Sequence, residues 1–316
     1  MQERKEKTKQ VSFTVWQKKS FVVAVFFVAI AAILAIALWR GTGDSPTSLT
    51  QVDSFLDIHG LAIDPTNPRI LYVATHRGLV RGMDDKDWAL IGDYRADFMG
   101  FTMHPAGKVF FSSGHKVPDA PLMGVARSDD GGSTWKIIAL RSQVDFHAMA
   151  ISRANPSMLY GWYYRDGRLY KSLDGGHSWT NPAAEGLSNA NALATDPASD
   201  RVVWAASEQG LYRSADGGNQ FESAAFAGES VIAIAVDPAD SNALYVWVTG
   251  RGLLKSTDGG ASWQTIGSGL EVGPQDAVGY LAIDSTNPQR LYAATFGASL
   301  FKSLDGGQTW RLVKRG

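Results

Sequence analysis

One short phrase recurs five times in the 316-residue chain: Ser128-Asp129-Asp130-Gly131-Gly132-Ser133-Thr134-Trp135, then SLDGGHSW from Ser172, SADGGNQF from Ser214, STDGGASW from Ser256 and SLDGGQTW from Ser303. The closing aromatics (Trp135, Trp179, Phe221, Trp263 and Trp310) are spaced by 44, 42, 42 and 47 residues. A fixed period of this size marks a radial or stacked repeat architecture, in which one supersecondary unit is copied until a common core is buried. A shorter copy, Arg81 to Trp88, lies 47 residues before Trp135 and raises the number of units to six. Length alone would suggest two domains; the repeat argues for one.

Each period contains four β-rich runs separated by turn residues, the sequence form of a propeller blade. The first run is recognisable in every unit: Asp57 to Asp64, Asp97 to His104, Asp145 to Ser152, Asn189 to Asp196, Ser230 to Asp237 and Ala277 to Asp284. A turn that often contains proline follows, then a second run such as Leu71 to Thr75, and a third run leading into the phrase. The expected fold is therefore all-β: a six-bladed propeller over residues 53–316. The paired glycines of the phrase supply positive-φ turn positions, and the preceding Asp can accept hydrogen bonds from the turn's own N–H groups. Asp130, Asp174, Asp216, Asp258, Asp305, Trp135, Trp179, Trp263 and Trp310 are accordingly expected to be structural. A calcium loop is disfavoured, because the phrases lack alternating ligands and a distal glutamate. How the ring closes is left open, since no blade obviously borrows a strand; Gln51 to Phe55 can lie beside one.

The phrase resembles the Asp-box, or BNR, repeat S-x-D-x-G-x-T-W of sialidases, sortilin-type receptors and related propellers. The stretches DIHGLAID, ATHRGL, DFMGFTMHP, FFSSGHKVPDAPLMGVARSDDGG and VDFHAMAIS are similar to bacterial membrane-attached or secreted Asp-box propellers described as glycosyl hydrolases. That resemblance implies glycoside hydrolysis as one candidate activity. A true sialidase is not expected. Such an enzyme uses three arginines for the substrate carboxylate, and no FRIP-like arginine segment precedes the first phrase. Arg77, Arg165 and Arg251, with Tyr163, Tyr164 and Glu208, sit only in loops after second runs.

Upstream of the repeats, Phe21 to Trp39 is an unbroken run of 19 apolar residues. As a helix it would span about 28 Å, enough for one membrane crossing. Residues 1–40 carry seven Lys/Arg, six of them before the run, so the positive-inside rule places the N-terminus in the cytoplasm. The expected organisation is a basic cytoplasmic tail (1–20), a transmembrane signal anchor (21–39), a flexible Gly/Ser/Pro linker (40–52) and an extracytoplasmic propeller, which would be secreted if the segment were cleaved. Beyond residue 40 the chain holds 23 basic residues of its 30 and 29 acidic residues of its 31, a net of −6. That balance argues against nucleic acid as a partner and leaves the membrane, a glycan or an envelope protein. With no cysteine, disulfides and thiol catalysis are excluded.

Antiparallel strands bring the starts of first runs and the ends of second runs to one face of a propeller, opposite the repeated phrases. Four of the six histidines fall on that near face in units one to three: His59 and His147 in matched positions, His76 and His115 after second runs. Met99 takes the matched position in unit two. Asp57, Asp97 and Asp145 stand two residues earlier in the same runs and share a strand face with His59, Met99 and His147. His59, His76, Met99, His115 and His147 are thus the candidate ligand-binding residues. The four histidines are candidate metal ligands, copper suiting His with Met and zinc suiting His with Asp. The three aspartates are the candidate catalytic carboxylates. The competing reading is a set of buried polar residues bonded across blades. His104 and His177 fall on the far face and are expected to be structural. Trp162, Tyr163, Tyr164, Trp204, Trp247 and Phe296 are expected mainly as core, with a sugar-stacking platform as the alternative. Two long near-face loops, His115 to Gly124 and Ile266 to Gly279, are the default places for recognition.

Overall fold

The structure is a computed structural model that describes residues 49–115 and 121–316. The expected tail, transmembrane helix and most of the linker lie outside the described residues. Among the described residues all regular elements are strands, and no helix is long and apolar enough to cross a membrane.

The strands form six antiparallel sheets arranged as six blades. Blade one contains β1 (Leu49–Gln51), β2 (Ile58–Ile63), β3 (Ile70–Thr75), β4 (Gly78–Met83) and β5 (Lys86–Ile91). Blade two contains β6 (Asp97–Met103), β7 (Phe110–His115), β8 (Leu122–Ser128) and β9 (Lys136–Ala139). Blade three has β10 (Ala148–Ile151), β11 (Leu159–Tyr163) and β12 (Arg168–Ser172). Blade four has β13 (Ala192–Thr195), β14 (Val203–Ser207), β15 (Gly210–Ser214) and β16 (Glu222–Ala225). Blade five has β17 (Val231–Asp237), β18 (Asp240–Val248), β19 (Gly252–Ser256) and β20 (Gln264–Thr265), and blade six has β21 (Val278–Ile283), β22 (Leu291–Thr295), β23 (Leu300–Ser303) and β24 (Arg311–Lys314).

The innermost strands β2, β6, β10, β13, β17 and β21 contact one another in a closed ring around the axis. The second strands are buried on both faces because a neighbouring blade covers each side; LYGWY, VWAAS and LYAAT are buried at every position. This explains why they read as continuous apolar runs rather than alternating ones. A hydrophobic cluster fills each of the six blade junctions. The core is therefore a ring of interblade layers, with no single centre.

The repeated phrase builds the outer hairpin turn. In all five full copies the Ser hydroxyl accepts a hydrogen bond from the second glycine N–H at 2.9 Å and donates to the Asp carboxylate. That carboxylate also accepts the N–H four residues beyond it, at 2.8–3.1 Å. In the four copies ending in Trp, the indole N–H closes the turn on the second glycine's carbonyl. Glycine is required there: Gly132 has φ +91°, and an added Cβ would lie 2.5 Å from Leu79. Each phrase thus spends its Ser, Asp and Gly-Gly groups on its own turn.

Two blades depart from four strands. Leu49–Gln51, expected within the linker, is a fifth, outermost strand of blade one and pairs with β5. In blade three the fourth strand shrinks to a single bridge, Lys171 with Thr180. The reason is local: Pro182 has no N–H to offer a ladder, and the Asn181 side chain bonds the Leu169 carbonyl instead.

Among the described residues, no strand is exchanged between the termini to close the ring. Closure rests on the apolar layer joining Ile58, Leu71 and Val73 of blade one to Tyr292, Ala294 and Leu300 of blade six, and on one carboxylate. Blade one's shortened phrase turns in two residues, Asp84 and Asp85, at φ 54° and 61°. Asp85 accepts hydrogen bonds from Tyr292 Oη at 2.5 Å and Lys302 Nζ at 3.0 Å, and pairs with Arg311. Burial pushes its pKa up, but the Tyr292, Lys302 and Arg311 contacts outweigh that and hold it below the usual value.

Candidate functional site

The near face is the end of the ring where the innermost strands begin. Asp97 opens β6, while Asp57 and Asp145 stand just before β2 and β10. His76 lies in the two-residue turn between β3 and β4, His115 ends β7, and His147 immediately precedes β10. His59 occupies a β-bulge: Ile58 pairs with Thr75 and Gly60 with Ala74, leaving His59 outside the ladder. Bulges re-aim side chains in this way beside functional sites. The same bulge recurs at Met99 in β6 and Gly279 in β21.

These placements join residues of three blades into one alternating chain of carboxylates and imidazoles. His59 Nε2 lies 3.5 Å from Asp57 Oδ2 and 3.2 Å from Asp97 Oδ1. Asp97 Oδ2 lies 2.6 Å from His76 Nδ1 and 3.6 Å from His115 Nε2. His115 Nδ1 lies 3.3 Å from Asp145 Oδ2, which lies 3.7 Å from His147 Nε2. Asp97 is the hub. Its side chain is 3% exposed, whereas His76 is 42% exposed and opens the cluster to solvent. Burial raises the Asp97 pKa, but the His59, His76 and His115 imidazoles outweigh it and keep the carboxylate ionised.

Two of the buried atoms, His59 Nε2 and Asp97 Oδ1, face each other without forming a hydrogen bond. Asp145 Oδ1 is likewise buried without one. Unsatisfied buried polar atoms are rare in a settled core. Their concentration here separates this cluster from the repeated-phrase carboxylates, which are saturated with turn donors.

All four near-face histidines and all three aspartates thus converge as an arc, although His147 reaches the rest only through Asp145. Met99, half-buried at its bulge, takes no part in these imidazole–carboxylate contacts. Beside the arc, a cavity of about 110 Å³ at the axis is lined by His59, His147, Met149, Asn191 and Tyr280. Asn191 and Tyr280 belong to blades four and six, whose first runs carry no histidine; only their register beside His59 could have marked them. Burial, reinforced by Asp57 and Asp97, pushes the Tyr280 pKa up, so the phenol stays protonated.

The remaining candidates are scattered. Tyr164 and Phe296 are about half exposed, Tyr164 packing on His147 with ring centroids 4.8 Å apart. Trp162, Tyr163 and Trp204 are buried core. Arg165 lies over Tyr164, and Arg251 pairs with Glu229 at 3.2 Å on blade five. The loop from Ile266 is folded back by Asp276, which accepts the N–H groups of Ala277 and Gly297; residues 116–120 of the other long loop are outside the described residues. On the far face His104 accepts the Ala106 N–H at 3.1 Å, and the His177 backbone N–H donates to Asp174.

No family model matches the chain, and no curated protein matches it. Solved structures do. The GH74 xyloglucanase from Xanthomonas campestris superposes with a TM-score of 0.58 at 19% identity over 84% of this chain. The chain spans 47% of that enzyme's length. YCF48 bound to D1 peptide superposes with a TM-score of 0.52 at 18% identity, covering 85% of this chain and 86% of that one. YCF48 from Cyanidioschyzon merolae gives 0.52 at 15% identity, covering 86% and 90%. At these identities the likeness shows the β-propeller fold alone, which this chain, with its six blades, shares with glycoside hydrolases and with YCF48.

Proposed function

We propose that the chain is a binding propeller, anchored by residues 21–39 with the propeller outside the cell membrane, whose near face recognises an envelope partner through the His–Asp pocket. The observation that carries this reading is the convergence of four imidazoles and three carboxylates from blades one to three at the axis, beside exposed Tyr164 and Phe296. Aromatic and mixed polar groups of this kind are the usual composition of a recognition surface. A propeller of similar fold captured with a peptide is consistent with this reading.

Glycoside hydrolysis is the less favoured reading. An acid catalyst needs a raised pKa and access to the glycosidic oxygen. Asp97 has neither, Asp145 is 8% exposed beside His115 and His147, and Asp57, 42% exposed, is the one accessible carboxylate of the three, so they offer no pair of open carboxylates.

Photo-crosslinking in native membranes tests the proposal. A crosslinking residue at Tyr164 or Phe296 should trap a partner, and one at the far-face Leu173 or Leu304 should not. Crosslinks confined to the far-face positions would overturn it.

A further inference from the structure

The donor set at the hub is narrower than four histidines. One ring nitrogen each of His59 and His76 and an Asp97 carboxylate oxygen all lie within 4.8 Å of one another, contributed by β2, the turn between β3 and β4, and β6. Zinc-type bonds of about 2.0–2.2 Å place two ligands of one tetrahedral ion about 3.4 Å apart. His59 to Asp97, at 3.2 Å, already matches that spacing, and His76 to Asp97, at 2.6 Å, is short of it. No pair in the triad has to change its separation by more than about 1.5 Å, within the reach of side-chain rotation.

The two unbonded buried atoms, His59 Nε2 and Asp97 Oδ1, belong to this triad. A cation bound between them would satisfy both. Two imidazoles and a carboxylate form a nitrogen–oxygen set that suits Zn²⁺, Co²⁺ or Ni²⁺ and lacks the soft sulfur that selects Cu⁺. Asp57 Oδ2 lies 3.5 Å from the same His59 nitrogen, beside the ion's position, and His115 Nε2 lies 3.6 Å from Asp97, where an outer partner can orient a metal-ligating carboxylate. His76 is the half-exposed member, so the open coordination position faces solvent, where a partner's side chain or carboxylate can reach the ion.

We infer that His59, His76 and Asp97 form a three-ligand site for one divalent first-row transition ion of the zinc type, with its remaining position directed to the near face. This deepens the proposed function and rests on the near-face pocket being the binding site.

The test is calorimetric titration of the chelator-treated, detergent-solubilised full chain with ZnCl₂, paired with the visible spectrum on adding CoCl₂. One equivalent of Zn²⁺ should bind, and Co²⁺ should give the intense visible bands of a tetrahedral site. His76→Ala, at a half-exposed turn position, should weaken Zn²⁺ binding at least 100-fold with thermal unfolding checking that the variant is folded, and Asp97→Asn should abolish it. His177→Ala should leave it within twofold. Absence of a Zn²⁺ equivalent, or binding unchanged in His76→Ala, would overturn the inference; so would a loss in His147→Ala as large as in His76→Ala, which would move the site. If Zn²⁺ fails to bind while near-face crosslinking persists, the metal site falls and the recognition reading stands. If Zn²⁺ binds at the triad while near-face crosslinks are absent, the metal site stands and the recognition reading falls.

Discussion

Replacing Asp85 by Asn isolates the charge that closes the ring. Asparagine tolerates the left-handed backbone that Asp85 adopts at φ 61°, so the two-residue turn survives. Its amide oxygen can still accept from Tyr292, which leaves the charge toward Lys302 and Arg311 as the only large loss. Lys302 is 14% exposed and Asp85 13%, so their contact is poorly screened by water. Arg311 is 55% exposed and adds little. A charge-assisted hydrogen bond in such surroundings contributes about 1.5–3 kcal/mol, and Asp85→Asn should therefore destabilise the chain by about 2 kcal/mol. For a domain of this size that lowers Tm by roughly 4–8 °C. Urea unfolding followed by tryptophan fluorescence reads it out as a lower midpoint at unchanged slope. Asp84→Asn is the internal control: it breaks only the exposed Arg69–Asp84 pair one residue away and should cost less than about 1 kcal/mol. Equal, small losses in the two variants would refute the argument and assign closure to the apolar layer alone.

Two further outcomes follow from the same geometry. Gly114→Ala should cost more than about 2 kcal/mol and disturb the site, because Gly114 has φ +150° and a Cβ there would lie 1.8 Å from the Asp97 carbonyl oxygen; thermal unfolding at or above wild-type Tm would contradict this. Side-chain hydrogen bonds from Ser178, Ser262 and Thr309 hold the pKa values of Asp174, Asp258 and Asp305 at about 2. Depressed carboxylates stabilise the fold fully above the unfolded value near 3.9, and that contribution disappears as pH falls through about 2. The triple Asp→Asn variant should lose less stability than wild type between about pH 4 and pH 2, and parallel denaturation profiles would contradict it.

The blade count was legible because the turn chemistry of Ser, Asp, Gly-Gly and Trp is local: every donor and acceptor lies within five residues, so one phrase predicts one hairpin. The exceptions are equally physical. Blade three's fourth strand fails at Pro182, a proline signal that was in plain view. The strand Leu49–Gln51 is exposed along its whole length and carries no periodicity strong enough to distinguish it from a tether. Ring closure was unreadable because Asp85 and Lys302 are 217 residues apart and meet only through the circular arrangement.

The site divides in the same way. Matching positions in successive first runs brought His59 and His147 to one face, and the short spacing from Asp57 and Asp145 gave their same-blade contacts. Which imidazole meets which carboxylate across blades depends on the stagger between sheets and on the bulge at His59. No pattern within one run encodes that. Asp97 therefore stood in the sequence as one aspartate among three, whereas in the fold it is the hub facing His59, His76 and His115.

The most direct measurement is anomalous diffraction at the zinc absorption edge from crystals of the chain grown with ZnCl₂. The account predicts one strong peak bounded by His59, His76 and Asp97, about 2.0–2.2 Å from each donor atom. Diffraction that places no zinc at this triad, or shows it held instead at His147 or the far face, would contradict it.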